Sequence, residues 1–314
     1  MIALVYGNIQ DELAKESVWE KILTLQIGPL IGAMAVYKLS LVLSAVQWWY
    51  LLKKQNIEIQ LMKVIRYYFV GLFFSNFLLG NVGGDVKKVY DIHKESERLT
   101  GSVTATLFDR VFGLYVITLI SILSGYWWFS EQENMADLVI PSLLIFLAMT
   151  LFFIGLFSRR MGNQFDRLFK VGSRLHLTEK YRNMRECFQN YRSPKFLAFI
   201  LSFSFLIQFL RIYTQVLMAE SMGITMDLSY YLYFVPLIGI ATSLPISIGG
   251  WGPRELVAQD LFMRAGWSGF DAVFHQVLGY FIGLALSLFG AFEFVFGRKV
   301  KKKAESANGV VSEG

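Results

Sequence analysis

Cysteine, histidine and charge are what this sequence has least of. One cysteine, Cys187, stands among 314 residues. It excludes an internal disulfide framework, and its place in a basic loop points to a reducing side. Three scattered histidines, His93, His176 and His275, fall short of the donor set of a zinc site, so no metal is expected. Neither a phosphate-binding P-loop nor a dinucleotide fingerprint occurs, which leaves out ATP hydrolysis, and no cofactor is expected. Charged residues make up 17% of the chain, too few to cover a soluble domain of this length. The alternating ten-residue strands of an outer-membrane barrel are missing. The N-terminus lacks the basic start and cleavage site of a signal peptide, and instead carries Asp11, Glu12, Glu16 and Glu20.

What is present is apolar. Hydrophobic residues make up 54%, phenylalanine occurs 28 times, and mean hydropathy is +0.45. The apolar runs recur along the whole chain, which predicts an all-α, polytopic helical membrane protein. Five runs are long enough to cross a hydrocarbon core of about 30 Å: 27–52, 103–124, 138–157, 196–219 and 272–296. Two more, 67–79 and 230–244, are too short, and each runs into a Gly-Gly pair, Gly83-Gly84 and Gly249-Gly250.

Charge sets the expected orientation. Segment 158–195 carries ten Lys or Arg against three acids, and the tail 298–314 carries Arg298, Lys299, Lys301, Lys302 and Lys303. Both are expected on the cytoplasmic side, while the acidic loops 125–137 and 220–229 read as external. The net charge of +6 is thereby assigned to orientation, and no nucleic acid is expected. Loop 158–195 is expected as amphipathic helix on the anionic cytoplasmic leaflet. Only if 67–79 and 230–244 enter and return do Lys53, Lys54, Lys63, Lys87 and the tail all stay inside. Both are therefore read as re-entrant, from opposite faces.

The Gly pairs lie 166 residues apart, and that offset also places Phe108 on Phe274, Val111 on Val277, Gly113 on Gly279 and Ser121 on Ser287. This predicts an inverted repeat with two broken helices, the pattern in which interrupted segments mark a binding site. The expected halves are about 27–137 and 138–297, forming one transmembrane domain over 27–297. Span 138–157 has no counterpart: either the chain starts upstream of Met1, or segment 1–26 holds a remnant of a lost first helix in Met1–Ile9.

The stretches Gln47-Trp-Trp-Tyr-Leu-Leu, Tyr68 to Lys88, Asp109-Arg110 and Pro245 to Glu255 together resemble the lysylphosphatidylglycerol synthase transmembrane region. This is a flippase-like family that includes the membrane half of the bacterial multiple peptide resistance factor. The resemblance runs from about 20 to 297. It implies one further N-terminal helix, a cytoplasmic (inner) membrane location, and translocation of an anionic or aminoacylated phospholipid. In two-domain members a soluble domain carries out aminoacyl transfer. That activity is not expected of this chain, and a separate soluble transferase is a candidate partner. Some relatives imply the alternative of a glycosyltransferase using a polyprenyl-phosphate-linked sugar.

Candidate head-group residues follow. Asn76, Gly83 and Gly84 lead into Asp85, Lys87 and Lys88, where glycine lets backbone N–H groups approach an anion and a lysine meets a phosphate. Asp109 and Arg110 sit inside a span, where ionisable groups are paired or line a cavity. Arg110 is read as a phosphate holder and Asp109 as a partner of Lys87 or Arg254. Gly249 and Gly250 lead into Arg254 and Glu255, an external pair that could receive a head group. Lys38 and Arg211 lie in long spans; Lys38 is the more central, and snorkelling accounts for Arg211. His275 reads as an interfacial histidine, and Trp48, Trp49, Trp127 and Trp128 as interface anchors.

Overall fold

The computed structural model describes residues 18–77, 82–129, 136–157, 183–184, 186–243 and 252–309. Those residues form helices and no strands: α1 (Val18–Leu23), α2 (Ile27–Lys54), α3 (Leu61–Ser75), α4 (Val82–Ser96), α5 (Leu99–Phe129), α6 (Ala136–Phe157), α7 (Pro194–Ser221), α8 (Leu228–Ser243), α9 (Pro253–Arg264) and α10 (Gly269–Gly309). Helix is what an apolar chain must form in lipid, because it satisfies each backbone N–H and C=O within the segment. Four helices among the described residues are long and apolar enough to cross a membrane: α2, and the stretches Leu99–Tyr126, Pro194–Ser221 and Gly269–Val295. In α6 the apolar stretch described is shorter, Ser142–Leu151.

Two of the long helices carry a row of polar side chains. In α2 the row is Ser40, Ser44 and Gln47, and in α7 it is Ser204, Gln208, Arg211 and Gln215. Those spacings stack the side chains along a single helix face. The Ser40 and Ser44 hydroxyls donate to the Tyr37 and Ser40 carbonyls at 2.7 and 2.8 Å, so they add polarity without an unsatisfied group.

Helices α2 and α7 lie antiparallel. The Gln26 N–H at the start of α2 donates to the Ser221 carbonyl at the end of α7 (2.7 Å), while Tyr50 near the end of α2 meets Phe199 near the start of α7, with ring centroids 5.1 Å apart. Helix α3 has 15 residues, about 22 Å of helix, less than the thickness of a hydrocarbon core. It turns back as α4, and the start of α3 meets the end of α4: Lys63 pairs with Glu95, and the Tyr67 hydroxyl donates to the same carboxylate at 2.6 Å. This hairpin opens beside the end of α2, where Arg98 donates to the Gln55 carbonyl at 3.3 Å. Helices α8 and α9 make a second hairpin, closed by Tyr231 and Phe234 against Phe262. It opens beside the end of α7, at the opposite end of the α2/α7 pair. Helix α3 packs on α10, and α8 packs on α5.

Pro236 interrupts α8. Having no N–H, it cannot bond the Leu232 carbonyl one turn back. The Ser124 hydroxyl on α5 lies 3.0 Å from that carbonyl and 2.8 Å from the Ile120 carbonyl of its own helix, so its one hydrogen is shared between them and partly replaces the missing donor. Ser124→Ala should therefore lower stability by about 1 kcal/mol, read as a lower unfolding midpoint of the purified protein in detergent.

The residues just before α7 return onto the end of α2. Gln55 donates to the Cys187 carbonyl (2.9 Å), Asn190 donates to Gln55 Oε1 (3.0 Å), and the buried Tyr191 hydroxyl donates to the Leu51 carbonyl (3.1 Å). Burial pushes the Cys187 thiol up from its ordinary value, with Glu186 adding to the effect and a hydrogen bond to Thr104 opposing it. Less thiolate is present at neutral pH, so maleimide should label Cys187 more slowly than a peptide cysteine, with the gap closing as pH rises.

Several expectations fall outside the described residues. These are 1–17, which contains the suggested remnant Met1–Ile9, most of loop 158–195, and Gly249-Gly250. Trp127 and Trp128 lie in α5, but their side chains are outside the description. Trp48 is no interface anchor. It is fully buried, and its indole N–H donates to Thr106 at 3.2 Å. Trp49 donates to the Ile59 carbonyl at 2.9 Å. His275 is likewise buried, not interfacial. For Trp48 and His275, packing between helices, invisible to a hydropathy profile, takes the side chain inward.

Candidate head-group cavity

The polar stripes converge on one cavity of about 780 Å³. Helices α2, α3, α4, α5, α7, α8 and α10 all contribute to its wall, and Arg254 enters it from α9. Its charged lining consists of Lys88, Arg110, Arg211 and Arg254 against Asp85 and Asp109, a surplus of two positive charges. In a bundle whose outer face is apolar, such a lining is where a polar ligand is held.

The first cluster joins both helices of the α3/α4 hairpin to α2 and α5. Asp85, in the first turn of α4, accepts from Lys88 Nζ at 2.8 Å. It also accepts two bonds from Arg110, from Nε at 2.7 Å and from Nη2 at 3.0 Å. The ammonium of Lys88 lies over the rings of Trp48 and Tyr68, 5.1 and 4.9 Å from their centroids, a cation–π contact on two sides. Its side chain is 4% exposed, whereas that of Arg110 is 43% exposed. Because Arg110 lines the cavity, part of its surface is open to a ligand there.

Asp109 lies about 100° around α5 from Arg110, as adjacent helical residues do, and meets different neighbours. Gln47 Nε2 donates to its Oδ1 at 3.0 Å, and Ser204 Oγ donates to Gln47 Oε1 at 2.9 Å. The serine thus fixes which way the amide points. The expected pairing of Asp109 with Lys87 or Arg254 is not what forms. Lys87 pairs with Asp91 one turn along α4 and is absent from the cavity wall. Helical spacing explains this: Lys88 falls on the same face as Asp85, and Lys87 on the next.

The other candidates are placed as follows. Asn76 ends α3, lines the cavity and donates to Ser287 Oγ at 3.0 Å. Gly83 lies in the first turn of α4. Gly84 is buried against Gly71 and Ser75 of α3. Arg254 donates from Nε to Gln276 Oε1 (2.9 Å) and from Nη2 to the Gln276 carbonyl (2.7 Å). Glu255 accepts from the Gly252 N–H at 2.7 Å, and so caps α9 instead of facing the cavity. Gly252 adopts φ +93°, a conformation glycine takes without strain.

Two residues change their reading. Arg211 does not snorkel: its guanidinium donates to Ser44 Oγ at 3.0 Å and lines the cavity. Lys38 is exposed and is not part of the cavity wall. Gln47, Ser204, Gln208 and Gln215 escape a search for charged motifs. For the three on α7, the i, i+4, i+7, i+11 spacing with Arg211 is the signal that finds them.

Long apolar helices enclosing a charged cavity define an integral, multi-pass membrane protein. The chain belongs to the family described as the lysylphosphatidylglycerol synthase TM region, whose model matches residues 2–290. It is 28% identical over 132 residues to a UPF0104 membrane protein of Pyrococcus horikoshii; the match takes in 41% of this chain and 39% of that relative's length. No solved structure matches it.

Proposed function

We propose that the chain moves an amphiphile with a phosphate-bearing head group between the leaflets of the cytoplasmic membrane. One observation carries this reading: the two hairpins open at opposite ends of the antiparallel α2/α7 pair and meet at a single charged cavity. A head group can sit in such a cavity while its chains stay in lipid. The neighbour pattern, with α3 on α10 and α8 on α5, is the one an inverted repeat would generate, with re-entrant hairpins from the two faces. The basic segment 158–195 and the basic tail orient the C-terminus to the cytoplasm. The lipid gradient or the membrane potential supplies the driving force.

Reconstitution tests it. Liposomes holding the purified chain should exchange a labelled phospholipid between leaflets faster than empty ones. Arg110→Ala, which opens the Asp85 pair and removes the cavity-facing guanidinium, should slow exchange by about tenfold or more. Exchange no faster than in empty liposomes would defeat the proposal. Formation of a new glycolipid from a polyprenyl-phosphate-sugar donor would point to a transferase instead.

A further inference from the structure

We propose that Arg211 and Arg254 form a station for a phosphate ester, in the half of the cavity whose wall carries no carboxylate. The inference deepens the reading of the cavity as a head-group path and rests on it. Positions 166 apart make the asymmetry plain. Lys88 corresponds to Arg254 and Arg110 to Gln276, while Asp85 and Asp109 correspond to Trp251 and His275. In the first half, Lys88 and Arg110 are matched by two carboxylates. In the second half, both carboxylate positions hold other residues.

His275 adds no charge. A backbone carbonyl can only accept, so its Nε2 donates to the Gln215 carbonyl at 2.9 Å, and its Nδ1 accepts from Gln276 Nε2 at 3.2 Å; a ring with one donor and one acceptor is neutral. The same chain of bonds ties Arg254 to the α7 face carrying Arg211 and Gln215. Neither Arg211 nor Arg254 makes an ion pair among the described residues. Glu255, the nearest carboxylate in sequence to Arg254, is turned to the Gly252 N–H. Arg211 donates to Ser44 and Arg254 to Gln276, which leaves N–H groups of both forks for a ligand. Gln215, one helical turn from Arg211, lines the cavity, while its Oε1 is buried and has no hydrogen-bond partner.

Two arginine forks fit a phosphate ester. Planar guanidinium matches phosphate oxygens in pairs.

The full chain in detergent is titrated calorimetrically with dioctanoyl phosphatidylglycerol, with dioctanoylglycerol, which lacks the phosphate, and with glycerol 3-phosphate. Phosphatidylglycerol should bind at least about tenfold more tightly than dioctanoylglycerol, and Arg211→Gln with Arg254→Gln should remove that margin. Arg211→Lys with Arg254→Lys keeps the charge without the fork and should fall between. Glycerol 3-phosphate binding as well as the lipid supports the station and assigns it a soluble ester. Equal affinity for dioctanoylglycerol, or an unchanged affinity in the glutamine variant, overturns it. If that variant does not elute as a single species, sulfate competition on the unaltered chain decides, and no competition overturns the proposal. Phosphate-dependent binding without leaflet exchange removes the transport reading and leaves the station standing.

Discussion

Asp85→Ala is expected to destabilise the protein by about 3–5 kcal/mol, the range for removing one partner of a buried ion pair. Lys88, with 4% of its side chain exposed, has no water to replace the carboxylate. The faces of Trp48 and Tyr68 remain, yet they offer only part of a counter-ion. Arg110 contributes less to the loss, because 43% of its side chain is exposed, and exposure screens its charge. The mechanism makes a second, opposite forecast. Asp85→Ala combined with Lys88→Met removes the stranded charge along with its partner, and should recover much of the stability. Unfolding midpoints of the two variants in one detergent decide the matter. A double variant no more stable than the single one would show that Asp85 holds the hairpin by some other means.

The fold was legible wherever apolar length decided it. The ends of α2 and α7 lie within a few residues of the expected 27–52 and 196–219, because a run of that composition has no alternative to helix in lipid. The first short segment was legible as a short helix, although it runs Leu61–Ser75 where 67–79 is expected. Individual partners were not. Sequence places Asp109 beside Arg110, but the helix turns them to different neighbours, and Gln47, 62 residues away, becomes the partner. Arg211 looked like a terminal snorkelling residue when taken alone. Its stripe with Ser204, Gln208 and Gln215 assigns it to the interior, and a period is visible only when those residues are read together. Trp48 and His275 were misplaced because amphipathic side chains suit an interface and a buried hydrogen-bonded site equally well. Contacts between helices far apart in sequence decide between those two.

Gly84→Leu is expected to disrupt the first hairpin outright. A Cβ on Gly84 would run into the Gly71 carbonyl and the Ser75 hydroxyl, and one on Gly71 would meet the Gly84 carbonyl at 2.9 Å and the Lys88 side chain. The two glycines therefore face each other across the α3/α4 crossing, where small residues let backbones touch. A flexible side chain in the way could rotate aside, but a backbone carbonyl moves only with its helix. Pushing α4 away would carry Asp85 and Lys88 from Arg110, Trp48 and Tyr68, so the steric and electrostatic losses add. The expected destabilisation lies at or above the upper end of overpacking, about 3 kcal/mol, and Gly84→Ala should follow the same direction with a smaller loss. Gly28 supplies the contrast. Nothing lies within 4 Å of its position, so Gly28→Ala in the first turn of α2 should be neutral or slightly stabilising, by less than about 1 kcal/mol. Size-exclusion profiles and unfolding midpoints of the three variants test the ordering. A Gly84→Leu protein that elutes and melts like the Gly28→Ala protein would mean the α3/α4 crossing is looser than the structure has it.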